Sequence, residues 1–119
     1  MKFLEESIKP IYIQVAEWIE DEILKGNILE EEQVLSTNQF ASLYNINPAT
    51  AGKGLNLLVE KNILYKKRGI GMFVTSGAKD TIIKKRRESF TKEFVEKLLY
   101  EADKLGITKE EIIEMLKNI

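Results

Sequence analysis

The chain has 119 residues, 44% of them hydrophobic, which bounds it to one domain or a small domain with an appendage. It contains neither cysteine nor histidine, so disulfides and thiolate metal sites are excluded and the commonest general base and metal ligand are missing. No enzyme, cofactor or metal site is expected. The formal net charge of −1 conceals an asymmetry: residues 1–40 carry three Lys against nine acids, 41–52 carry no charge, 53–92 carry eleven Lys or Arg against three acids, and 93–119 carry four Lys against seven acids. A basic middle between acidic ends suggests a polyanion partner, although charge alone fits a solvated surface equally well. No stretch approaches the ~20 apolar residues of a membrane span, and the acids of "MKFLEESIKP" stand where a secretory leader would be apolar. A cytoplasmic protein without membrane association is expected.

In chain order, Ile8, Tyr12, Val15, Ile19 and Ile23 recur at helical spacing. With Pro10 in the first turn and Gly26 as a stop, they predict a helix over about 10–25. "STNQFASLY" opens a second helix with a capping box, Ser36 paired with Gln39, and Phe40, Ala41 and Tyr44 form its inward stripe. "NIN" (45–47) is a turn with Ile46 as an apolar plug. Asn47 is the N-cap of a third helix that has Pro48 at its first position and Ala51, Leu55, Leu58 and Val59 on its buried side. Two short helices joined by such a turn make a helix-turn-helix. The β-prone runs at 63–66 and 72–75 flank "KKRGIG", a glycine-containing basic hairpin loop. "TSGAKD" reads as a hinge. A long helix is expected from about 81 to 104 with Phe90, Phe94, Leu98, Ala102 and Leu105 along one stripe, ended by Gly106. Thr108 and Glu111 cap a terminal helix carrying Ile112, Ile113, Leu116 and Ile119. The fold class is therefore mainly α with a small β-hairpin: a winged helix-turn-helix over 1–76, then a two-helix C-terminal region over 77–119.

The stretches "PIYIQV", "LSTNQFASLYNINPATAGKGLNLL" and "RGIGMFV" resemble the DNA-binding domain of the GntR family of bacterial transcription regulators, by motif over about 10–76. The short helical remainder is similar to the YtrA-type branch, which has no large effector domain. This resemblance implies double-stranded DNA as partner and dimerisation through the C-terminal helices. Several positions depart from the family pattern: where it usually reads Leu-Pro-Ser-x-Arg, this chain has Val34, Leu35, Ser36, Thr37 and Asn38. Asn38 stands where the family carries an arginine that reaches the DNA, which implies weaker binding per half-site, and Glu31 stands where it usually has glycine.

A recognition helix sets its first turn in the major groove. That places Asn47, Ala49, Thr50, Gly52 and Lys53 as DNA contacts, with Ala49 offering a methyl contact to thymine and Lys53 facing a phosphate or guanine. Ser36, Thr37 and Asn38 at the start of the preceding helix join them, and Arg68 with Gly69 at the wing tip faces the minor groove or its phosphates. Tight helix packing is the plain reading of both glycines and is favoured for Gly54; Gly52 also fits close approach of DNA or no role at all. Tyr12 is expected on the buried face. The long helix, roughly 36 Å at 1.5 Å per residue, is too long for one short partner helix to cover, so Phe90, Phe94, Leu98, Ala102, Leu105, Ile112, Ile113 and Leu116 are expected at a homodimer interface. A dimer would read a palindromic pair of half-sites, acting as a repressor by occupancy. The alternative is a winged helix that docks an acidic protein partner without specific DNA binding. A small-molecule effector is compatible with the C-terminal helices but indicated by no motif.

Overall fold

The computed structural model describes residue 3 and residues 8–119; the acids at 5 and 6, which argue against a leader, lie outside the described residues. The chain divides into two compact units, Met1–Ile83 and Lys84–Ile119. The division falls inside a helix, beyond the loop where a boundary near 76 was expected. Among the described residues no helix is long and apolar enough to cross a membrane.

In the first unit, helix α1 spans Ile11–Leu24 and buries Val15, Ala16, Ile19 and Ile23. Ile8, expected on that stripe, is fully exposed at 102%, because the helix begins only after Pro10, whose ring fixes its own φ and leaves residue 8 outside the helical turn. Helix α2 (Thr37–Tyr44) opens on the expected box: the Ser36 hydroxyl accepts from the Gln39 amide at 3.1 Å and the Ser36 amide donates to Gln39 Oε1 at 3.0 Å. Helix α3 (Pro48–Glu60) starts where Asn47 Oδ1 accepts from the Ala49 amide at 2.8 Å. Ala51, Leu55 and Leu58 are wholly buried.

Strands β1 (Leu64–Lys67) and β2 (Gly71–Val74) pair antiparallel with Leu64 opposite Val74 and Tyr65 opposite Phe73. The ladder runs one residue further toward the tip than the β-prone runs suggested. A third extended segment, unforeseen, lies beside β2: the Val34 amide donates to Met72 O at 2.9 Å, the Glu31 amide to Val74 O at 2.7 Å, and Gln33 bridges Phe73. A two-stranded hairpin alone is marginal in water, and this segment ties it to the helical core. That core joins Phe40, Leu55, Leu58, Leu64, Val74 and Ile82. Beside it, Phe3, Trp18, Phe40 and Tyr44 form an aromatic cluster with centroids between 4.6 and 6.1 Å apart.

Helix α4 (Ala78–Phe90) begins three residues before the expected start. The reason is a distant cap. The Glu30 carboxylate accepts from the Gly77 amide at 2.9 Å and the Lys79 amide at 3.2 Å, two amide donors where the helix begins that have no partner within it. These same hydrogen bonds hold the Glu30 carboxyl below its ordinary range.

The second unit contains the end of α4, a π turn at Thr91–Val95, helix α5 (Glu96–Lys104) and helix α6 (Lys109–Lys117). The uninterrupted long helix is thus corrected to a helix with one over-wide turn. Phe90, Phe94, Leu98 and Ala102 repeat strictly every four residues, and in a regular helix such a repeat drifts by about 40° per step. One surplus residue in a π turn takes that drift back, and the Phe90 and Phe94 rings meet at 5.4 Å. Gly106 follows α5 at φ +70°. The Thr108–Glu111 box opens α6 as expected.

Candidate nucleic-acid interface

The residues expected to meet DNA are all at least partly accessible. Ser36, Asn38, Asn47, Ala49, Lys53, Arg68 and Gly69 are exposed, and Thr37, Thr50 and Gly52 are half-buried. Sequence chemistry explains how α3 can present its tip. Its cap uses Asn47 Oδ1 and not the side-chain amide NH2, and Pro48 contributes no amide hydrogen. Residues 33–79 hold six Lys or Arg and a single acid, Glu60, at the far end of α3. The first turn of α3 therefore combines a helix-terminal partial positive charge with no carboxylate to oppose it.

Two open grooves run along this helix. One, of about 560 Å³, is lined by Tyr12, Ala49, Gly52, Lys53, Asn56, Leu57 and Glu60. The other, of about 450 Å³, is lined by Pro10, Ile11, Tyr12, Ala49, Thr50 and Lys53. Tyr12 and Lys53 border both, because the Lys53 ammonium sits 4.0 Å from the centre of the Tyr12 ring. Such a cation–π contact is worth about 0.5–1 kcal/mol at an exposed site. Tyr12 is accordingly half-buried, a correction to its expected place on the buried face: α1 turns its flank toward α3 at this point.

The two glycines of α3 resolve differently. A Cβ on Gly54 would lie 2.8 Å from the Tyr12 carbonyl oxygen and 2.8 Å from Val15 Cγ1, so α1 and α3 approach too closely for any side chain. A Cβ on Gly52 would lie 3.3 Å from Thr37 Cγ2 on α2, a tight contact with the end of a short side chain. Gly52 thus has a packing neighbour on α2, in line with the helix-packing alternative for both glycines.

The wing turn is closed by the Ile70 amide donating to Lys67 O at 3.0 Å, with Gly69 left-handed at φ +78°. On one face of the hairpin Tyr65 and Phe73 stack at 5.8 Å, with the Lys67 ammonium 4.4 Å from the Phe73 ring centre. Lys66, opposite Met72, alternates to the other face. Sequence reasoning missed three residues that hold this wing. Gln33 Nε2 donates to Ile70 O at 3.0 Å, and Tyr65 Oη donates to Glu31 Oε2 at 2.6 Å. The third is Glu31 itself, whose backbone is left-handed at φ +68°, the conformation that the family's glycine at this position suits. Its replacement by glutamate was visible in the sequence; its φ was not.

Of the residues expected at a dimer interface, Phe90, Phe94, Leu98, Leu105, Ile113 and Leu116 are exposed, Leu105 by 75%. Ala102 and Ile112 are buried within the single chain, 6% and 8% exposed.

No family model matches the chain. A transcriptional regulator of the GntR family from Bacteroides thetaiotaomicron is 38% identical, with 92% of this chain and 95% of that one covered and a TM-score of 0.73. The HTH-type transcriptional repressor YtrA of Bacillus subtilis is 27% identical over 95% of this chain and 86% of its own length. The DNA-binding domain of AraR, solved in complex with operator ORX1, is 32% identical over 60% of this chain and 87% of that one, with a TM-score of 0.55. With an exposed α3 tip, a basic wing and a 38% identical GntR-family regulator matched along nearly its whole length, the chain belongs to the GntR family of transcriptional regulators.

Proposed function

We propose that the protein is a sequence-specific DNA-binding regulator that represses transcription from a palindromic operator as a cytoplasmic homodimer, without catalytic activity. The observation that carries this reading is the exposed, acid-free first turn of α3 in one compact unit with the cationic wing. The AraR domain with operator ORX1 supports the choice of nucleic acid over a protein partner.

In this reading α3 enters the major groove, where the Asn47 amide, the Ala49 methyl and the Thr50 hydroxyl meet base edges. Lys53, steadied over Tyr12, meets a phosphate or a guanine. Gly52 leaves room for the backbone beside it. Ser36 uses one oxygen lone pair to accept from the Gln39 amide and keeps its hydroxyl hydrogen for a phosphate, next to Thr37 and Asn38. Arg68 and Gly69 reach the minor groove. The exposed Phe90, Phe94, Leu98, Leu105, Ile113 and Leu116 form an apolar surface that a second copy covers, and a twofold axis then presents two α3 tips to two half-sites.

Gel-shift titration against DNA selected from a random pool, repeated across a salt series, tests this. A protein touching several phosphates per half-site loses orders of magnitude in affinity between about 50 and 200 mM salt. Absence of a preferred sequence, or affinity indifferent to salt, would overturn it.

A further inference from the structure

We propose that Gln33 is a positioning residue for the wing, fixing the turn that carries Arg68 before DNA arrives. The proposal rests on the reading that this wing meets DNA, and it adds what sets the wing's place. The hairpin has only four residues per strand, and its tip residues, 68–70, are exposed. The backbone bonds from residues 31–34 reach β2 at Met72 and Val74, at the base and middle of the hairpin. The Gln33 side chain spans the remaining distance, and its amide donates to Ile70 O at 3.0 Å. Gly71 completes the fit. Its φ is +148°, and a Cβ there would stand 2.6 Å from Gln33 Nε2, so the amide occupies the space that any larger residue would fill.

The clamp also joins the wing to the helices. Gln33 lies three residues before Ser36, at most about 10 Å of extended chain. Thr37 then abuts Gly52 of α3. One short segment therefore sets both the wing tip and the approach of α2 to α3. A wing ordered in advance spares the complex the entropy of fixing Arg68 on binding. A hydrogen bond of this kind is worth about two- to tenfold in an equilibrium.

The test combines two readouts on the full-length protein. Without DNA, Gln33→Met, which keeps the length and removes the donor, should speed hydrogen exchange of the Ile70 amide and lower the heteronuclear NOE of residues 68–70, with the melting temperature nearly unchanged. With selected DNA, Gln33→Met should weaken binding about two- to tenfold in the wild-type background. It should change binding by less than about twofold in the Arg68→Ala background, with the salt dependence of Gln33→Met equal to wild type. Gly71→Ala should disturb the tip amides more in the wild type than beside Gln33→Ala. Unchanged tip dynamics in Gln33→Met would overturn the clamp. Equal losses with and without Arg68 would overturn its role in positioning. Failure of the wild type to bind any DNA would instead overturn the function on which the proposal rests, and the exchange measurement would still decide the clamp.

Discussion

The Tyr65 hydroxyl donates a 2.6 Å hydrogen bond to the carboxylate of Glu31, a residue whose backbone is left-handed at φ +68°. A non-glycine residue in that conformation costs about 1 kcal/mol, and the side chain that causes the cost also ties residues 31–34 to β1. Two effects of opposite sign therefore meet at one position. Glu31→Gly should remove the backbone cost and lose the tie, and Tyr65→Phe should lower the melting temperature in the wild type but not in Glu31→Gly. The hydrogen bond to Glu31, with burial and the carboxylate's charge behind it, raises the Tyr65 hydroxyl above its ordinary value. A raised value in the folded state means that this contribution is complete below pH 10 and is lost as pH climbs through the folded value. Absorbance titration of the tyrosinates measures it: the transition assigned to Tyr65 by its loss in Tyr65→Phe should fall toward the ordinary tyrosine value in Glu31→Gly.

Glu30 makes the opposite prediction at the acid end. Hydrogen bonds from the Gly77 amide and then the Lys79 amide hold its carboxyl below the ordinary 4.5. Its stabilisation is therefore fully present above pH 4.5 and disappears as pH falls through the lower folded value. Circular-dichroism melts between about pH 5 and pH 3 should show a smaller loss of stability in Glu30→Gln than in the wild type. An identical pH profile would mean that the cap on α4 carries no linkage.

The two glycines of α3 should respond with opposite signs. Gly54→Ala gains helix propensity of about 1 kcal/mol but forces α1 away from contacts at 2.8 Å, and overpacking of this kind costs about 1–3 kcal/mol. A net destabilisation is expected. Gly52→Ala meets only the Thr37 side chain, its methyl at 3.3 Å and its hydroxyl oxygen at 3.8 Å, which can give, so its stability should be unchanged or raised. A drop in DNA affinity for Gly52→Ala at full stability would assign that position to the nucleic acid. Thermal melts and gel shifts on the same two variants separate these outcomes.

For DNA recognition, Arg68→Ala should weaken binding to all sequences alike and reduce the salt slope by about 1, whereas Thr50→Ala should change which sequence is preferred. Selection from a random pool with each variant reads both. Identical behaviour of the two variants and the wild type would remove these residues from the interface.

For assembly, Leu98→Glu in the exposed apolar surface of α5 should convert a dimer to a monomer in sedimentation and weaken operator binding far more than binding of a single half-site. A wild type that sediments as a monomer at micromolar concentration would overturn the dimer.

What the sequence disclosed and what it withheld divide by distance along the chain. The boxes at Ser36–Gln39 and Thr108–Glu111, and the Asn47–Pro48 start of α3, act across two or three residues. Local chemistry dictates them, and they were legible. Glu30 reaching Gly77, Gln33 reaching Ile70 and Glu31 reaching Tyr65 act across 47, 37 and 34 residues. Nothing in the composition of either partner announces such bonds. The candidate contact residues could be named because exposure on a helix follows from its buried stripe. The Lys53–Tyr12 pair could not, because it depends on how closely Gly54 lets α1 approach. The π turn at Thr91–Val95 was not anticipated: the spacing of four from Phe90 to Ala102 was read as one helical stripe, although it exceeds the 3.6-residue period.

That relief leaves α4 and α5 with a spare residue stored in the turn at Thr91–Val95. Loss of any one codon there would restore ordinary helical hydrogen bonding, at little cost, while swinging everything distal through about 100° and 1.5 Å. A one-residue deletion there would therefore shift the phase of everything after it in the second unit while leaving every side chain of α3 and the wing unchanged.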